Sequence, residues 1–217
     1  MKWQAIFFDF DGVILDSVDV KTKAFAKMFS SYGPEIEKKV VEYHMINGGV
    51  SRFEKFKYYY KNLLHKPITE EILNDLGNDF KKLALEGVLA APFIDGALDT
   101  LKQLKLKGVP AFVATGAPDE EIKDIVKKRN LSDYFLEIHG SPRKKREIVN
   151  DIANRHGYDL TKCLFIGDAM TDYEEAKACE TQFLGIVKDR DISPFPDSTT
   201  ISEKCRLMGS SYNGTTK

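Results

Sequence analysis

Four short runs of apolar residues, separated by much longer amphipathic stretches, constrain the fold of this chain more than any other feature. The runs lie at residues 3–8 (WQAIFF), 109–114 (VPAFVA), 163–166 (CLFI) and 183–187 (FLGIV). None of them alternates apolar with polar residues, which is typical of strands in a parallel sheet that is covered on both faces. Apolar residues recur at helical spacing in segments 95–107 and 142–156. They do so also in the segment that follows Pro118, which we take to be the first residue of a helix. We therefore predict a doubly wound, Rossmann-like parallel α/β sheet.

Residues 16–91 interrupt this alternation, because they contain several helical patterns and no convincing strand. The predicted helices cover residues 16–31, 34–46, 51–65 and 69–90. We predict that this stretch is a helical cap domain, inserted after the first strand of a core formed by residues 1–15 and 92–217. Residues 189–217 are predicted to be a tail rich in Pro, Ser, Thr and Asp, whose end we expect to be disordered.

Composition and charge exclude several classes of function. The 32 basic and 33 acidic residues give a net charge of −1, which argues against a general nucleic-acid-binding protein. No apolar run is long enough to span a membrane, and the N-terminus does not resemble a signal peptide. The 3 cysteines are widely spaced and form no CxxC pair, so neither a disulfide scaffold nor a zinc site is indicated. We expect a cytoplasmic protein that is a monomer or a weak homodimer.

Two acidic motifs follow predicted strands. Asp9 and Asp11 come after the first strand, and the period of two places them on the same side of the chain. Asp168 follows the CLFI strand, and Asp172 lies four residues further on, which is the same face of a helical turn. Carboxylates at the carboxyl edge of a parallel sheet suit a hard cation such as Mg²⁺. Each motif alone also fits a helix cap or a turn, which Gly12 would permit.

Two further motifs carry groups that bind anions. Thr115 and Gly116 follow the second predicted strand, where a hydroxyl and backbone N–H groups can hold a phosphate, although a plain turn or helix cap fits as well. Segment 140–146 (GSPRKKR) is basic, and its ordinary interpretation is a solvated first helical turn. Cations at that end oppose the helix dipole, which suggests that at least one has another purpose. Lys144 and Lys145 differ by about 100° around a helix, so only one of them easily reaches a shared site.

Together the four motifs resemble those of the haloacid dehalogenase superfamily, in its phosphatase branch with a helical C1-type cap, to which phosphoglycolate phosphatases belong. The matching segments are DFDGVILDS, VATG, GSPRKK and IGDAMTD, within residues 4–187. The resemblance implies a Mg²⁺-dependent hydrolase of a small phosphorylated metabolite. Family members often carry Gly-Ser-Pro, two further residues and then a lysine, a spacing that selects Lys145 over Lys144.

The resemblance also implies a role for each motif residue. Asp9 would attack phosphorus and form an aspartyl-phosphate, and Asp11 would act as general acid and then as general base. Thr115 and the lysine would bind the oxygens of the transferred phosphoryl group. Asp9, the backbone carbonyl of Asp11 and Asp168 would hold Mg²⁺. Asp172 would be a further ligand or would orient the lysine.

The loop between two predicted cap helices is the candidate for substrate contacts. In capped family members the loop equivalent to residues 47–52 (NGGVSR) faces the active site, so Gly49 and Arg52 here, together with Gly116 in the core, are expected to bind substrate. Arg52 would hold a second anionic group such as a carboxylate or phosphate, or else be solvated beside a helix turn. Lys55 is a weaker candidate, and Lys21 fits a solvated lysine better than a site residue.

Three alternative functions stay open. The GVSR segment resembles β-phosphoglucomutase, but Lys21 stands where that family is expected to carry a histidine, and the third motif lacks its Lys-Pro-x-Pro pattern. Carbon–halogen cleavage fits less well, because Asp11 is the acid and base that phosphoryl transfer needs. A non-catalytic protein that binds a phosphorylated metabolite is the third alternative.

Overall fold

A six-stranded parallel sheet forms the centre of the computed structural model, which describes residues 3–207. In chain order the strands are β1 (Ala5–Phe8), β2 (Ala111–Pro118), β3 (Glu137–Ser141), β4 (Cys163–Gly167), β5 (Gln182–Ile186) and β6 (Ile201–Ser202). Across the sheet the order is β3-β2-β1-β4-β5-β6, and every neighbouring pair is parallel. From β1 the strand order extends to one side through β2 and β3, and from β4 it extends to the other side. Sheets of this type bind ligands at such a switch point, here between β1 and β4. The prediction of a doubly wound α/β fold is confirmed.

Strand β1 is buried along its whole length because apolar layers cover both faces of the sheet. Ile6 and Phe8 belong to the larger hydrophobic core, whereas Ala5 and Phe7 belong to a second core on the other face. The ring of Phe7 stacks on that of Phe112 in β2, with 5.3 Å between the centroids. This double burial explains why the strand lacks polar residues until it ends at the acidic motif.

Helices occupy most of the remaining chain. They are α1 (Val18–Phe29), α2 (Pro34–Ile46), α3 (Arg52–Tyr58), α4 (Glu70–Ala90), α5 (Ala97–Leu106), α6 (Asp119–Lys128), α7 (Lys145–His156) and α8 (Met170–Ala178). A π-helical segment, Tyr59–Leu63, continues α3. Helices α1–α5 lie between β1 and β2, which confirms a helical insert after the first strand. The domain boundaries at residues 16 and 92 stay a prediction.

The helical insert has its own aromatic centre. Phe25 of α1 lies 4.5 Å from Phe80 of α4 and 5.7 Å from Phe56 of α3, measured between ring centroids. The ring of Tyr59 packs edge-on against Phe25, and its hydroxyl donates to the carbonyl of Val40 at 3.2 Å. Burial of these rings ties α1, α3 and α4 together and supports the loop between α2 and α3.

Several local predictions were wrong. Strands β3 and β6 were not predicted, because β3 is an edge strand with a half-buried polar start and β6 has 2 residues. Pro118 does not open a helix: β2 runs on to it, and α6 begins at Asp119. Helix α7 begins at Lys145, so most of the basic segment precedes the helix.

The segment after β5 packs on the core up to the last described residue. Phe195 is buried, and its ring lies 5.2 Å from that of Phe183. Cys205 is buried, and its carbonyl accepts a hydrogen bond from the hydroxyl of Thr100 at 2.6 Å. Residues 189–207 are therefore part of the fold. The predicted disordered end, residues 208–217, lies outside the described residues.

All three cysteines are free and buried. Within residues 3–207, no helix combines the length and the apolar character that a membrane span requires.

Candidate active site

Three carboxylates meet at the carboxyl end of the central strands. Oxygen atoms of Asp9, Asp168 and Asp172 all lie within 4.8 Å of one another. Asp9 follows β1 and Asp168 follows β4, and these strands are neighbours; the N–H of Asp9 donates to the carbonyl of Ile166 at 2.9 Å. Asp172 lies in the first turn of α8. The sheet therefore brings together carboxylates that are far apart in the chain.

Lys145 supplies the positive charge beside this cluster. Its ammonium hydrogen-bonds to the carboxylate of Asp172 and lies 3.1 Å from that of Asp9, and the lysine is 5% exposed. Burial alone lowers the pKa of Lys145, but the carboxylates of Asp172 and Asp9 outweigh it and raise the pKa above its ordinary value. The second oxygen of Asp172 accepts from the N–H of Ala169 at 3.2 Å. Asp172 is thereby held by two donors.

Only one lysine of the basic segment lies in the site. Lys144 is the exposed residue that precedes α7, whereas Lys145 is the first residue of that helix and faces the carboxylates. Arg146 is bonded instead to Glu175, at 2.8 Å. The geometry thus places Lys145, and not Lys144, where the phosphate-binding lysine was predicted.

The side chain of Asp11 is bonded to residues outside the carboxylate cluster. It accepts from the hydroxyl of Ser17 at 2.5 Å and from the ammonium of Lys21. Burial raises the pKa of Asp11, but the charge and hydrogen bond of Lys21 outweigh that effect and lower it. The interpretation of Lys21 as a solvated lysine was wrong. Asp11 is not part of the cluster of Asp9, Asp168 and Asp172, and its contact with a metal ion through the backbone carbonyl stays a prediction.

Gly12 lets the acidic loop approach Asp168 closely. Its φ is +80°, a conformation that other residues rarely adopt, and a Cβ there would collide with the carboxylate of Asp168. Position 12 therefore needs glycine for two separate reasons, its backbone conformation and its close approach to Asp168. A turn with a larger residue would push Asp168 out of the cluster.

The predicted anion-binding residues lie opposite the cap loop. Thr115 is buried within β2, and its hydroxyl oxygen accepts from the N–H of Ala117 at 3.3 Å. A Cβ on Gly116 would collide with the carbonyl oxygen of Gly49 in the cap loop. Gly49 itself has a φ of +75°, and a Cβ on it would lie 3.0 Å from the ammonium of Lys145. The two glycines thus let the cap loop close over the acidic edge.

A cavity of about 810 Å³ lies between the sheet edge and the helical insert. Its floor includes Asp9, Asp11, Thr115 and Asp168, and its roof is formed by the insert. The roof residues are Lys21, Phe25, His44, Gly48, Gly49, Val50, Arg52, Lys55 and Phe80, with Met45 and Ile46 at the exposed end. The predicted site residues therefore line one cavity, except for Lys145, whose ammonium lies 3.1 Å from the lining residue Asp9, and Asp172, which pairs with Lys145.

Arg52 lines this cavity, but it is not a free cation. Its Nη2 atom lies 2.5 Å from a carboxylate oxygen of Glu121 in α6, and its guanidinium lies 4.8 Å from the ring of Phe80. Its Nη1 atom is buried without a hydrogen-bond acceptor among the described residues. The Nη1 group of Arg52 can therefore still donate to a ligand, whereas the positive charge of the guanidinium is largely balanced by Glu121.

Lys55 and His44 form a second buried polar pair in the roof. The ammonium of Lys55 lies 2.8 Å from Nδ1 of His44, and the two residues are 2% and 7% exposed. Burial and the nearby Lys21 lower the pKa of Lys55 to about 7. Burial and the charge of Lys55 lower the pKa of His44 to about 3, so this imidazole is neutral.

The carboxylate cluster fits a divalent metal ion. Burial and the charges of Asp9 and Asp172 raise the pKa of Asp168 well above its ordinary value. A cation between these groups would remove that repulsion, and clustered carboxylate oxygens are the donors that hard divalent cations prefer. Asp9, Asp168 and Asp172 are the residues that could hold such an ion.

An acidic centre at the switch point of a doubly wound sheet, closed by a helical insert, defines a capped α/β enzyme with an aspartate-centred site. A comparison with protein-family profiles narrows this class: the profile of haloacid dehalogenase-like hydrolases matches residues 3–180. The chain belongs to this haloacid dehalogenase-like hydrolase family.

Its curated relatives include phosphoglycolate phosphatases at low identity. Phosphoglycolate phosphatase 1 of Pseudomonas aeruginosa is 27% identical over 179 residues, which cover 80% of this chain and 65% of that protein. The chain therefore spans slightly less than two thirds of that relative. The phosphoglycolate phosphatase of Pseudomonas syringae pv. tomato is 27% identical over 214 residues, covering 94% of this chain and 78% of that protein.

Solved structures share the fold. The β-phosphoglucomutase of Clostridium difficile aligns with a TM-score of 0.74 and 18% identity, covering 94% of this chain and 92% of that one. A predicted phosphoglycolate phosphatase from Haemophilus somnus aligns with a TM-score of 0.68 and 18% identity, covering 86% of each chain. At this identity the likeness concerns the fold, and it does not separate the two activities.

Three residues of the site were absent from the sequence prediction: Ser17, His44 and Glu121. His44 lies four residues after the buried Val40 on α2, so the helical stripe was a usable signal. Ser17 ends the DFDGVILDS segment, so the motif was a usable signal for it, whereas Glu121 had none. Glu121 acquires its role from Arg52, which lies in a distant helix and meets it only in the folded chain.

Proposed function

We propose that this hydrolase is a Mg²⁺-dependent phosphatase that acts on a small phosphorylated metabolite. The observation that carries the proposal is the position of Asp9. Its buried carboxylate lies 3.1 Å from the ammonium of Lys145 and within the carboxylate cluster that includes Asp168, and it also lines the cavity. A nucleophile beside a cation and a metal site suits an anionic phosphate, whose charge would otherwise repel a carboxylate.

The reaction divides into two steps. An oxygen of Asp9 attacks phosphorus and forms the aspartyl-phosphate as the bond to the leaving oxygen breaks, and Asp11 gives its proton to that oxygen. Asp11 then takes a proton from water, whose oxygen attacks phosphorus, so that phosphate is released and Asp9 is regenerated. Ser17 and Lys21 hold the Asp11 carboxylate in place between the two steps. When bound, the metal ion would neutralise charge on the phosphoryl oxygens.

The remaining residues bind and orient the phosphoryl group. Lys145 and the hydroxyl of Thr115 supply donors, and Gly116 allows close approach of the backbone. Asp9, Asp168 and the backbone of Asp11 would hold the ion. The two donors on Asp172 favour its role in orienting Lys145 over direct ligation.

Phosphoglycolate and sugar or sugar-acid phosphates are the first substrates to test. The low identity to curated phosphoglycolate phosphatases supports phosphoglycolate as one of them, and the cavity of about 810 Å³ has room for larger metabolites. Arg52 and Gly49 in the roof are the proposed substrate contacts of the cap.

A screen of phosphorylated metabolites, with and without Mg²⁺, tests the proposal. Release of inorganic phosphate by the natural protein, lost in Asp9→Asn and without Mg²⁺, is the expected result. Interconversion of phosphosugar isomers that requires a bisphosphate activator would indicate a mutase instead. Tight binding of a metabolite without any turnover would indicate a binding protein and would contradict the proposal.

A further inference from the structure

Lys55 differs from the other lysine and arginine side chains that line the cavity in having no acidic partner. Lys21 faces Asp11, Arg52 faces Glu121, and Lys188 lies 3.4 Å from each of two carboxylates at the cavity edge. Among residues 3–207, no carboxylate lies within ion-pair distance of Lys55, although that lysine is 2% exposed. A buried lysine without a counter-charge is unusual, because burial removes its hydration and a hydrogen bond to a neutral imidazole does not balance its charge.

Its neighbour His44 adds an unsatisfied donor. A protonated Lys55 donates to Nδ1 of His44, so the hydrogen of this neutral imidazole lies on Nε2. That Nε2 atom is buried and has no hydrogen-bond partner in the described chain. Nη1 of Arg52 is a second buried donor in the same condition. Both residues line the cavity together with Lys55.

Aromatic rings explain only part of this arrangement. The ammonium of Lys55 lies 5.7 Å from the centroid of Phe25, and the ring of His44 lies 4.7 Å from the same centroid. A ring face stabilises a cation, but it does not accept the directed N–H bonds of His44 and Arg52. A group with several acceptor oxygens and a negative charge would accept from His44 and Arg52 and balance the charge of Lys55.

We propose that Lys55, His44 and Arg52 form a subsite for a second acidic group, a carboxylate or a phosphate, on the leaving group of the substrate. The proposal rests on the proposed phosphatase function, which places the reacting phosphate at Asp9 on the opposite side of the same cavity. It goes further by naming the substrate class: phosphate monoesters that carry another anion. It also assigns Lys55 and His44 as specificity-determining residues.

Matched pairs of esters test this selectivity. Phosphoglycolate is compared with ethyl phosphate, which lacks the carboxylate, and a sugar bisphosphate is compared with the corresponding monophosphate. For each pair we compare kcat/KM of the ester that carries a second acidic group with kcat/KM of the ester that lacks it. Lys55→Met is expected to reduce this ratio by about 10- to 100-fold, the usual contribution of a charged hydrogen bond. Lys55→Arg is expected to recover part of the ratio. The pair that shows the effect identifies carboxylate or phosphate as the second group.

Lys57→Met is the control, because Lys57 is an exposed lysine on the same helix that is paired with Glu54. It is expected to keep the natural ratio. His44→Gln is a second test variant, expected to lower the ratio in the same direction. Urea unfolding first establishes that the variants are folded. If folded Lys55→Met and His44→Gln then have the same kcat/KM ratio as the natural protein, the proposed subsite is wrong.

A binding measurement separates this proposal from the proposed function. Calorimetric titration of Asp9→Asn with phosphoglycolate and with ethyl phosphate requires no turnover. Tighter binding of phosphoglycolate that depends on Lys55 would support the subsite even if no ester were hydrolysed. Equal affinities that Lys55→Met does not change would contradict it, even if the protein proves to be a phosphatase.

Discussion

Arg52 and Glu121 form a buried ion pair that joins the helical insert to the sheet core. Nη2 of Arg52 lies 2.5 Å from the carboxylate of Glu121, and the side chains are 6% and 10% exposed. Arg52 begins α3 beside the cap loop, and Glu121 lies in the first turn of α6, directly after the strand that carries Thr115. The pair therefore fixes the roof of the cavity over its floor.

Arg52→Met and Glu121→Gln are expected to be energetically coupled. Either single substitution leaves a buried group without its partner, whereas the double variant removes both sides. Urea unfolding of the four proteins should give a coupling free energy of about 1–3 kcal/mol. The exposed pair of Lys57 and Glu54, 3.0 Å apart on the same helix, is the control and should show no measurable coupling. Additive effects of Arg52→Met and Glu121→Gln would contradict the prediction.

Lys145→Met is expected to lower kcat for phosphate release by about 100-fold or more, because it removes the cation that balances charge on the phosphoryl oxygens. The neighbouring Lys144→Met should leave kcat within a few-fold of the natural value, since Lys144 is exposed and precedes the helix. Steady-state phosphate release measures both. Similar losses in the two variants would show that the geometry has assigned the wrong lysine.

Lys21→Met is expected to shift the acidic limb of the pH profile to higher pH. Lys21 lowers the pKa of Asp11 against the opposing effect of burial, so its removal raises that pKa. Asp11 must be ionised to take a proton from water, and a higher pKa moves this requirement to higher pH. The profile of kcat against pH, measured at saturating substrate where hydrolysis of the aspartyl-phosphate limits turnover, measures the shift. Lys23→Met, at an exposed position of the same helix, is the control and should leave the profile in place.

Mg²⁺ is expected to raise the melting temperature more at pH 8 than at pH 6. The pKa of Asp168 is raised, so the metal-free protein gains stability from this group as the pH falls and loses it as the pH rises. A metal ion binds the ionised form and competes with the proton, so its affinity and its stabilising effect grow with pH. Thermal melts at both pH values measure this.

Asp168→Asn should abolish the Mg²⁺ effect, whereas Asp191→Asn, at an exposed position, should retain it. An equal Mg²⁺ effect at pH 6 and pH 8 would contradict the prediction.

The positions of Asp9, Thr115 and Asp168 could be predicted because each follows an apolar strand, and parallel strands end at one edge of a sheet. The choice of Lys145 also followed from the sequence, through the spacing of the motif that resembles the family. Helical periodicity predicted the cap helices, although their ends differ by a few residues. Edge strands β3 and β6 escaped prediction because they lack a continuous apolar run.

The sequence by itself determined the class of fold and the acidic edge, because both depend on local apolar periodicity and on residues next to strand ends. Only the tertiary structure decided that Arg52 is paired with Glu121, that Lys21 holds Asp11, and that Lys55 is buried against His44. These contacts join elements that are distant in the chain or depend on which way a side chain turns. Their energies depend on burial and on the charges nearby, which the packing of the helical insert against the core creates.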